Sequence, residues 1–143
     1  MKKKILIVED NNDSREIMGL FIAKMGYQPI KAKNSTEAIA LAESEVPDLI
    51  FMDMELPDLD GIKTTAIIRK NPKTAHIPVA AVTAWISELW QEKALRVGIA
   101  TYLIKPVSPQ MLKQTIEEYT SGAYPESVTP RLDNKRSLQY YSK

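Results

Sequence analysis

The 143-residue chain contains no cysteine, which excludes disulfides and cysteine-ligated metals and leaves the redox compartment open. It also lacks a charge of one sign. Nineteen Lys and Arg stand against eighteen Asp and Glu, a net +1, so no global pull toward nucleic acid or a membrane surface is indicated. Long apolar runs are missing too. The start, Met-Lys-Lys-Lys-Ile-Leu-Ile-Val, imitates a signal peptide, but only four apolar residues precede Glu9-Asp10. That is too short for a secretory core or a membrane span, and a cytoplasmic location is the expectation. There is no internal repeat. What remains is an ordinary globular composition, 44% hydrophobic and 26% charged, with length for one domain and one sizeable core.

Short apolar runs alternate with helical patterns five times. The runs cover residues 5–8, 28–32 (the weakest), 49–52, 79–82 and 101–104, each bounded by turn or charge signals, as buried parallel strands are. Helical periodicity is carried by Ile17, Leu20, Phe21 and Lys24, then by Ala38, Ile39, Leu41 and Ala42. It continues with Ile62, Ala66 and Ile67, with Leu89, Ala94 and Val97, and with Met111, Leu112 and Ile116. Asn34-Ser35-Thr36-Glu37 offers an N-cap with a Glu behind it, Gly26 and Gly98 close helices, and Ser108-Pro109 gives a cap followed by a proline at the first helical position. Gly19, inside the first helical pattern, costs about 1 kcal/mol relative to Ala and has no account at this level. Five strand–helix units with short links predict an α/β fold, a parallel sheet covered on both faces. The pattern stops near residue 121. Residues 1–120 are expected to form the domain, and 121–143, with two prolines and a net charge of +2, a flexible or loosely docked tail without an output domain.

The stretch "IFMDMELPDLDG", residues 50–61, ends an apolar run on Asp53 and crowds Glu55, Asp58 and Asp60 behind it. Other strands end in the same way. The first runs into Glu9-Asp10, the fourth into Thr83 and the fifth into Lys105-Pro106. In open α/β sheets ligands bind beyond the carboxyl ends of the strands, where the strand order reverses. Bringing Glu9, Asp10 and Asp53 within reach of one ion requires the first and third strands to be neighbours. The order is then 2-1-3-4-5, a doubly wound, flavodoxin-like arrangement. Like charges about 4 Å apart repel by about 4 kcal/mol at an effective dielectric near 20, so this rim calls for a cation. An all-oxygen set without Cys or His suits Mg²⁺ and argues against Zn²⁺. With one Lys and one hydroxyl added, the set suffices to bind a metal and a phosphoryl group, and Asp53 is the natural covalent acceptor.

Each residue has a plainer use when taken alone. An acid after a strand is usually a cap or turn residue, Glu9-Asp10 with Asn11, Asn12 and Asp13 can cap a helix, and Thr83 or Lys105 can be a cap or a solvated charge. Their coincidence at one rim is what favours a site.

Taken as a set, "ILIVEDN", "PDLIFMDMELPDLDGI", "IPVAAVTA" and "YLIKP" resemble the receiver domain of two-component response regulators, in the chemotaxis-type single-domain form. The resemblance covers about residues 3–120. It implies that Asp53 accepts phosphate from a histidine kinase or phosphotransfer protein. Glu9, Asp10, Asp53 and the backbone carbonyl of Glu55 would hold Mg²⁺, Lys105 would pair with the phosphoryl group, and Thr83 would hydrogen-bond it. Tyr102 matches the rotating aromatic of the family switch, and the Lys105–Pro106 bond would be cis. The chain departs from the family in carrying Ala100-Thr101 where Asp or Glu and Gly are frequent. Glu55 and Trp85, each two residues past a site residue, flank the path of hydrolytic water.

The protein is thus expected to be a signalling switch, not an enzyme, a monomer or weak dimer acting on a downstream protein target without nucleic acid or membrane. Output would use the fourth helix, fifth strand and fifth helix. The donor would dock on the first helix, where Met18 and Ile22 pair at i and i+4; core packing is the other reading of that pair. Two competing functions remain. An aspartyl-phosphate phosphatase of the haloacid dehalogenase type fits Asp53-Met54-Glu55 superficially, but carries its motif on the first strand and needs a cap. A non-phosphorylated pseudo-receiver scaffold is disfavoured by the full set of Glu9, Asp10, Asp53, Thr83 and Lys105.

Overall fold

Strand and helix alternate strictly in a computed structural model of the chain, which describes residues 2–121. The strands are β1 (Lys4–Val8), β2 (Gln28–Ala32), β3 (Leu49–Asp53), β4 (Val79–Thr83) and β5 (Thr101–Ile104). The helices are α1 (Asn12–Lys24), α2 (Ser35–Glu45), α3 (Gly61–Lys70), α4 (Glu88–Val97) and α5 (Pro109–Thr120). All pairings are parallel and the order is β2-β1-β3-β4-β5, as the strand-end acids required. Of the expected tail, only Ser121 lies among the described residues. No described helix is long and apolar enough to cross a membrane.

The central strands read as continuous apolar runs because both their faces are covered. Leu6, Val8, Ile50, Met52, Val79, Ala81 and Tyr102 pack on one side with α2, α3 and α4, while Ile5, Ile7, Leu49, Phe51, Val82 and Leu103 pack on the other with α1 and α5. Caps follow the sequence signals. Asn34 accepts from the Glu37 N–H, Ser108 from Met111, and Pro109 opens α5. Gly98 ends α4 at φ 95°, the left-handed region where glycine carries no Cβ penalty.

Three helical faces differ from those the periodicity predicts. On α1 the buried positions are Gly19 and Ile22, and Met18 and Phe21 pack beside them, whereas Ile17 and Leu20 are 49% and 60% exposed. The Met18–Ile22 pair therefore belongs to the core. On α3 the inward face is Gly61, Thr64, Thr65 and Ile68, with Ile67 outside. The two threonines tolerate burial because their hydroxyls donate to the carbonyls of Asp60 and Gly61, both at 2.8 Å. On α4 Leu89 is 60% exposed, and Trp90 packs against the core in its place. Gly19 acquires a reason as well. A Cβ there would lie 2.8 Å from Cε of Lys31, whose stem crosses the helix to reach Glu16.

Candidate functional site

The sheet register assembles the rim. Val8 pairs with Met52, so the next residues, Glu9 and Asp53, emerge side by side. The Lys105 N–H donates to the Thr83 carbonyl at 2.9 Å and carries the ladder one step past β5. Strand alternation then sorts the groups. Glu9 and Asp53 continue the Ile7 and Phe51 face, toward α1 and α5. Thr83 continues the Ala81 face, which it shares with Tyr102, toward α4.

Carboxylate oxygens of Glu9, Asp10 and Asp53 all lie within 4.8 Å of one another, the first and last buried and Asp10 exposed. None is spent on a cap. Asn11 caps α1 by accepting from the Ser14 N–H, and Glu9 instead accepts from the Asn11 N–H at 3.1 Å. Asp53 is 2% exposed. One of its oxygens accepts from the Glu55 N–H at 3.0 Å and the other from Lys105 Nζ at 3.2 Å. Lys105 also lies 3.7 Å from Glu9, so it has two acidic partners where the sequence offered it only a phosphoryl group.

The electrostatics follow. Burial raises the Glu9 carboxyl above its ordinary value, the Asn11 N–H lowers it in part, and Asp53 pushes it up further. Burial alone would depress the Lys105 ammonium, but Asp53 and then Glu9 attract it strongly enough to raise its pKa. Lys105 thus partly offsets a surplus of negative charge at the rim. Three carboxylates in oxygen-only surroundings, one of them open to solvent, fit a Mg²⁺ ion that keeps several waters.

The remaining predicted residues flank this centre. Thr83 is buried, and its hydroxyl donates to the Trp85 carbonyl at 2.9 Å while the Trp85 N–H returns a 3.3 Å bond. It is not turned to Asp53. Tyr102 is fully buried, its ring 5.1 Å from that of Trp90 at 74°, edge to face, so the ring already occupies the inward position, and burial raises its phenol pKa. Trp85 is 72% exposed and does not pack across the rim as a lid. Lys105–Pro106 is cis. The turn bearing Ala100 and Thr101 closes with both residues buried and the Ala100 N–H donating to Val79.

Two features have no local sequence signal. Trp90 as the neighbour of Tyr102 is a contact between α4 and β5. Asp58 reaches from the β3–α3 loop to α2, where the Ser35 N–H, at 3.0 Å, and then Thr36 hold its carboxyl well below the usual carboxylate range. Asp60 has the ordinary role of N-cap to α3.

Comparison with known proteins agrees with this geometry. The family model described as response regulator receiver domain matches residues 5–117. The polar-differentiation response regulator DivK of Brucella anthropi is 36% identical over 123 residues, 86% of this chain and 100% of that protein. The receiver domain of the sensor histidine kinase PA1611 from Pseudomonas aeruginosa was solved with a magnesium ion coordinated in its active-site cleft. It matches at a TM-score of 0.78 and 29% identity, over 85% of this chain and 99% of that one. The receiver domain of Ssk1 from Saccharomyces cerevisiae, solved with the histidine phosphotransfer protein Ypd1, matches at a TM-score of 0.75 and 35% identity, over 84% and 90%. With a family model across most of its length and a full-length relative at this identity, the chain belongs to the response regulator receiver domain family.

Proposed function

We propose that the protein is a phosphorylation-dependent signalling switch in which Asp53 accepts a phosphoryl group from a phosphohistidine on a histidine kinase or phosphotransfer protein. The observation that carries this reading is the Asp53 carboxylate itself: 2% exposed, fixed by the Glu55 N–H and Lys105, and beside Glu9 and Asp10. A carboxylate oxygen of Asp53 attacks phosphorus, a P–O bond forms, and the P–N bond to the donor imidazole breaks. Glu9, Asp10, Asp53 and the Glu55 carbonyl would hold Mg²⁺, which would neutralise phosphoryl oxygens and bring attacking and leaving atoms into line. Lys105 follows the charge, exchanging part of its pairing with Asp53 for a phosphoryl oxygen. Thr83 gives up the Trp85 carbonyl and turns its hydroxyl to the same group, and because it shares a sheet face with Tyr102, the change passes toward α4.

The donor docks on the rim side of α1. Ile17 is exposed there and lines a groove of about 440 Å³ together with Ser14, Met18, Phe21, Lys105 and Val107. The Ssk1 receiver, solved with a histidine phosphotransfer protein, supports a partner of that kind. Output goes to a downstream protein through α4, β5 and α5, where Trp85, Leu89 and Leu95 offer apolar surface. The protein acts in the cytoplasm, as a monomer or weak dimer, with no nucleic acid or membrane partner and no turnover of a separate substrate; residues 1–120 make up the switch.

Incubation with acetyl phosphate and Mg²⁺ followed by intact mass tests the reading. Wild type is expected to gain one phosphoryl group, chelation to prevent it and Asp53→Asn to abolish it. A modified Asp53→Asn protein, or modification indifferent to chelator, would overturn it.

A further inference from the structure

The β3–α3 loop is anchored unevenly. At its start the Met54 N–H donates to Val82 at 3.0 Å, and the Met54 carbonyl accepts from Gly61 at 3.3 Å. Glu55 and Pro57 are exposed, and Leu56 rests only partly against the core. The Glu55 N–H is held in turn by Asp53, to which it donates at 3.0 Å, and the next firm attachment is Asp58. One of its oxygens accepts from the Ser35 N–H at 3.0 Å, and the other from the Thr36 N–H and hydroxyl at 3.1 and 3.0 Å. Beside it the buried Ser35 hydroxyl donates to the Leu59 carbonyl at 2.7 Å and lies 2.8 Å from that of Thr64. With Asn34 accepting from the Glu37 N–H, the first three unpaired N–H groups of α2 are all taken, two of them by a residue from another element.

The chain from the Glu55 carbonyl through Leu56 and Pro57 is thus strung between the Glu55 N–H, held by Asp53, and Asp58, held by α2. An exposed segment of three residues held at both ends has little freedom to reorient a peptide plane, while one held at a single end regains it. We propose that Asp58, by fastening this loop to the N-terminus of α2, is a positioning residue for the Glu55 peptide, and so for the carbonyl oxygen assigned above to the metal. The inference rests on that assignment for its metal readout only. Ser35 and Thr36, some twenty residues upstream, are the other half of the fastening.

The test compares full-length wild type, Asp58→Ala and Asp58→Asn in two measurements. In metal-free protein, amide hydrogen exchange at Glu55 and Leu56 is expected to accelerate in Asp58→Ala and to recover in part in Asp58→Asn, which keeps one acceptor oxygen. Calorimetric titration with Mg²⁺ is expected to show affinity about three- to tenfold weaker in Asp58→Ala, the scale of one lost ordering hydrogen bond. A residue that merely caps α2 would speed exchange at Ser35 and Thr36 and leave both Glu55 exchange and Mg²⁺ affinity at wild-type values; that result overturns the proposal. Should Asp58→Ala fail to fold, Thr36→Val deletes only the hydroxyl bond and gives the same comparison in milder form. A wild type that binds no Mg²⁺ would remove the metal assignment, and Glu55 exchange alone would then decide the positioning claim.

Discussion

Lys105 keeps two buried carboxylates together that would otherwise repel. Its ammonium lies 3.2 Å from Asp53 and 3.7 Å from Glu9; the strand ends put these groups at one rim without revealing that the ammonium pairs with both acids. Lys105→Ala should therefore lose about 1–2 kcal/mol in chelator, less than a fully buried pair would, since the Lys105 side chain is 31% exposed. Saturating Mg²⁺ should restore most of it by binding only the folded state. Urea unfolding with and without Mg²⁺ checks both, and a variant as stable as wild type in chelator would contradict the pairing. Asp58 contributes a pH dependence of its own on the acid side. Its folded pKa is lowered from 3.8, chiefly by the Ser35 N–H, so its contribution is fully present above 3.8 and is lost as pH falls below that toward the folded value. The stability gap between wild type and Asp58→Ala should stay constant from neutral pH down to that point, then narrow.

Among the elements, strands were legible and helix faces less so. Leu49–Asp53 and Val79–Thr83 are buried at every position, and such strands announce themselves as unbroken apolar runs. A helix face is set by geometry, which polarity follows imperfectly. Thr64 and Thr65 turn inward because each hydroxyl has a carbonyl one turn back, and Ile17 and Leu20 face outward. The rim acids were legible because strand ends converge in this topology; Asp58 was not, since its partners lie some twenty residues away. Gly19 makes the same point for α1. Replacing it with Ala gains up to about 1 kcal/mol of helix propensity and displaces the flexible end of Lys31, whose exposed pair with Glu16 is worth about 0–1 kcal/mol. Gly19→Ala should thus leave stability within about 1 kcal/mol of wild type, on the favourable side. A loss of more than about 2 kcal/mol in urea unfolding would show that the backbone, not the Lys31 stem, fills that space.

At the scale of the described domain, the proposed switch would use the sheet to separate reception from transmission. Asp53, Glu9 and Lys105 meet on the α1–α5 face, while Thr83 follows the Ala81 face toward α4, where Tyr102 packs against Trp90. The Thr83 hydroxyl is engaged by Trp85, and the Tyr102 ring is already inside, so in the proposed switch a charge change at Asp53 would act by moving the loop that holds Trp85. Beryllofluoride with Mg²⁺, a stand-in for the phosphoryl group, should change tryptophan emission in wild type and not in Asp53→Asn. With Trp90→Phe the change should persist, because Trp85 is the indole on the moving loop; its loss would place the movement in α4 instead.

In the proposed switch one carboxylate, Asp53, forms the acyl phosphate. Borohydride reduces an acyl phosphate to the alcohol, converting a phosphorylated aspartate to homoserine and marking the position permanently. After treatment with acetyl phosphate and Mg²⁺, reduction and peptide sequencing by mass spectrometry should find homoserine at position 53 alone, and none when Mg²⁺ is chelated. Homoserine at Asp10, Asp58 or Asp60, or a reduced glutamate at Glu9, with position 53 unmodified, would contradict the account.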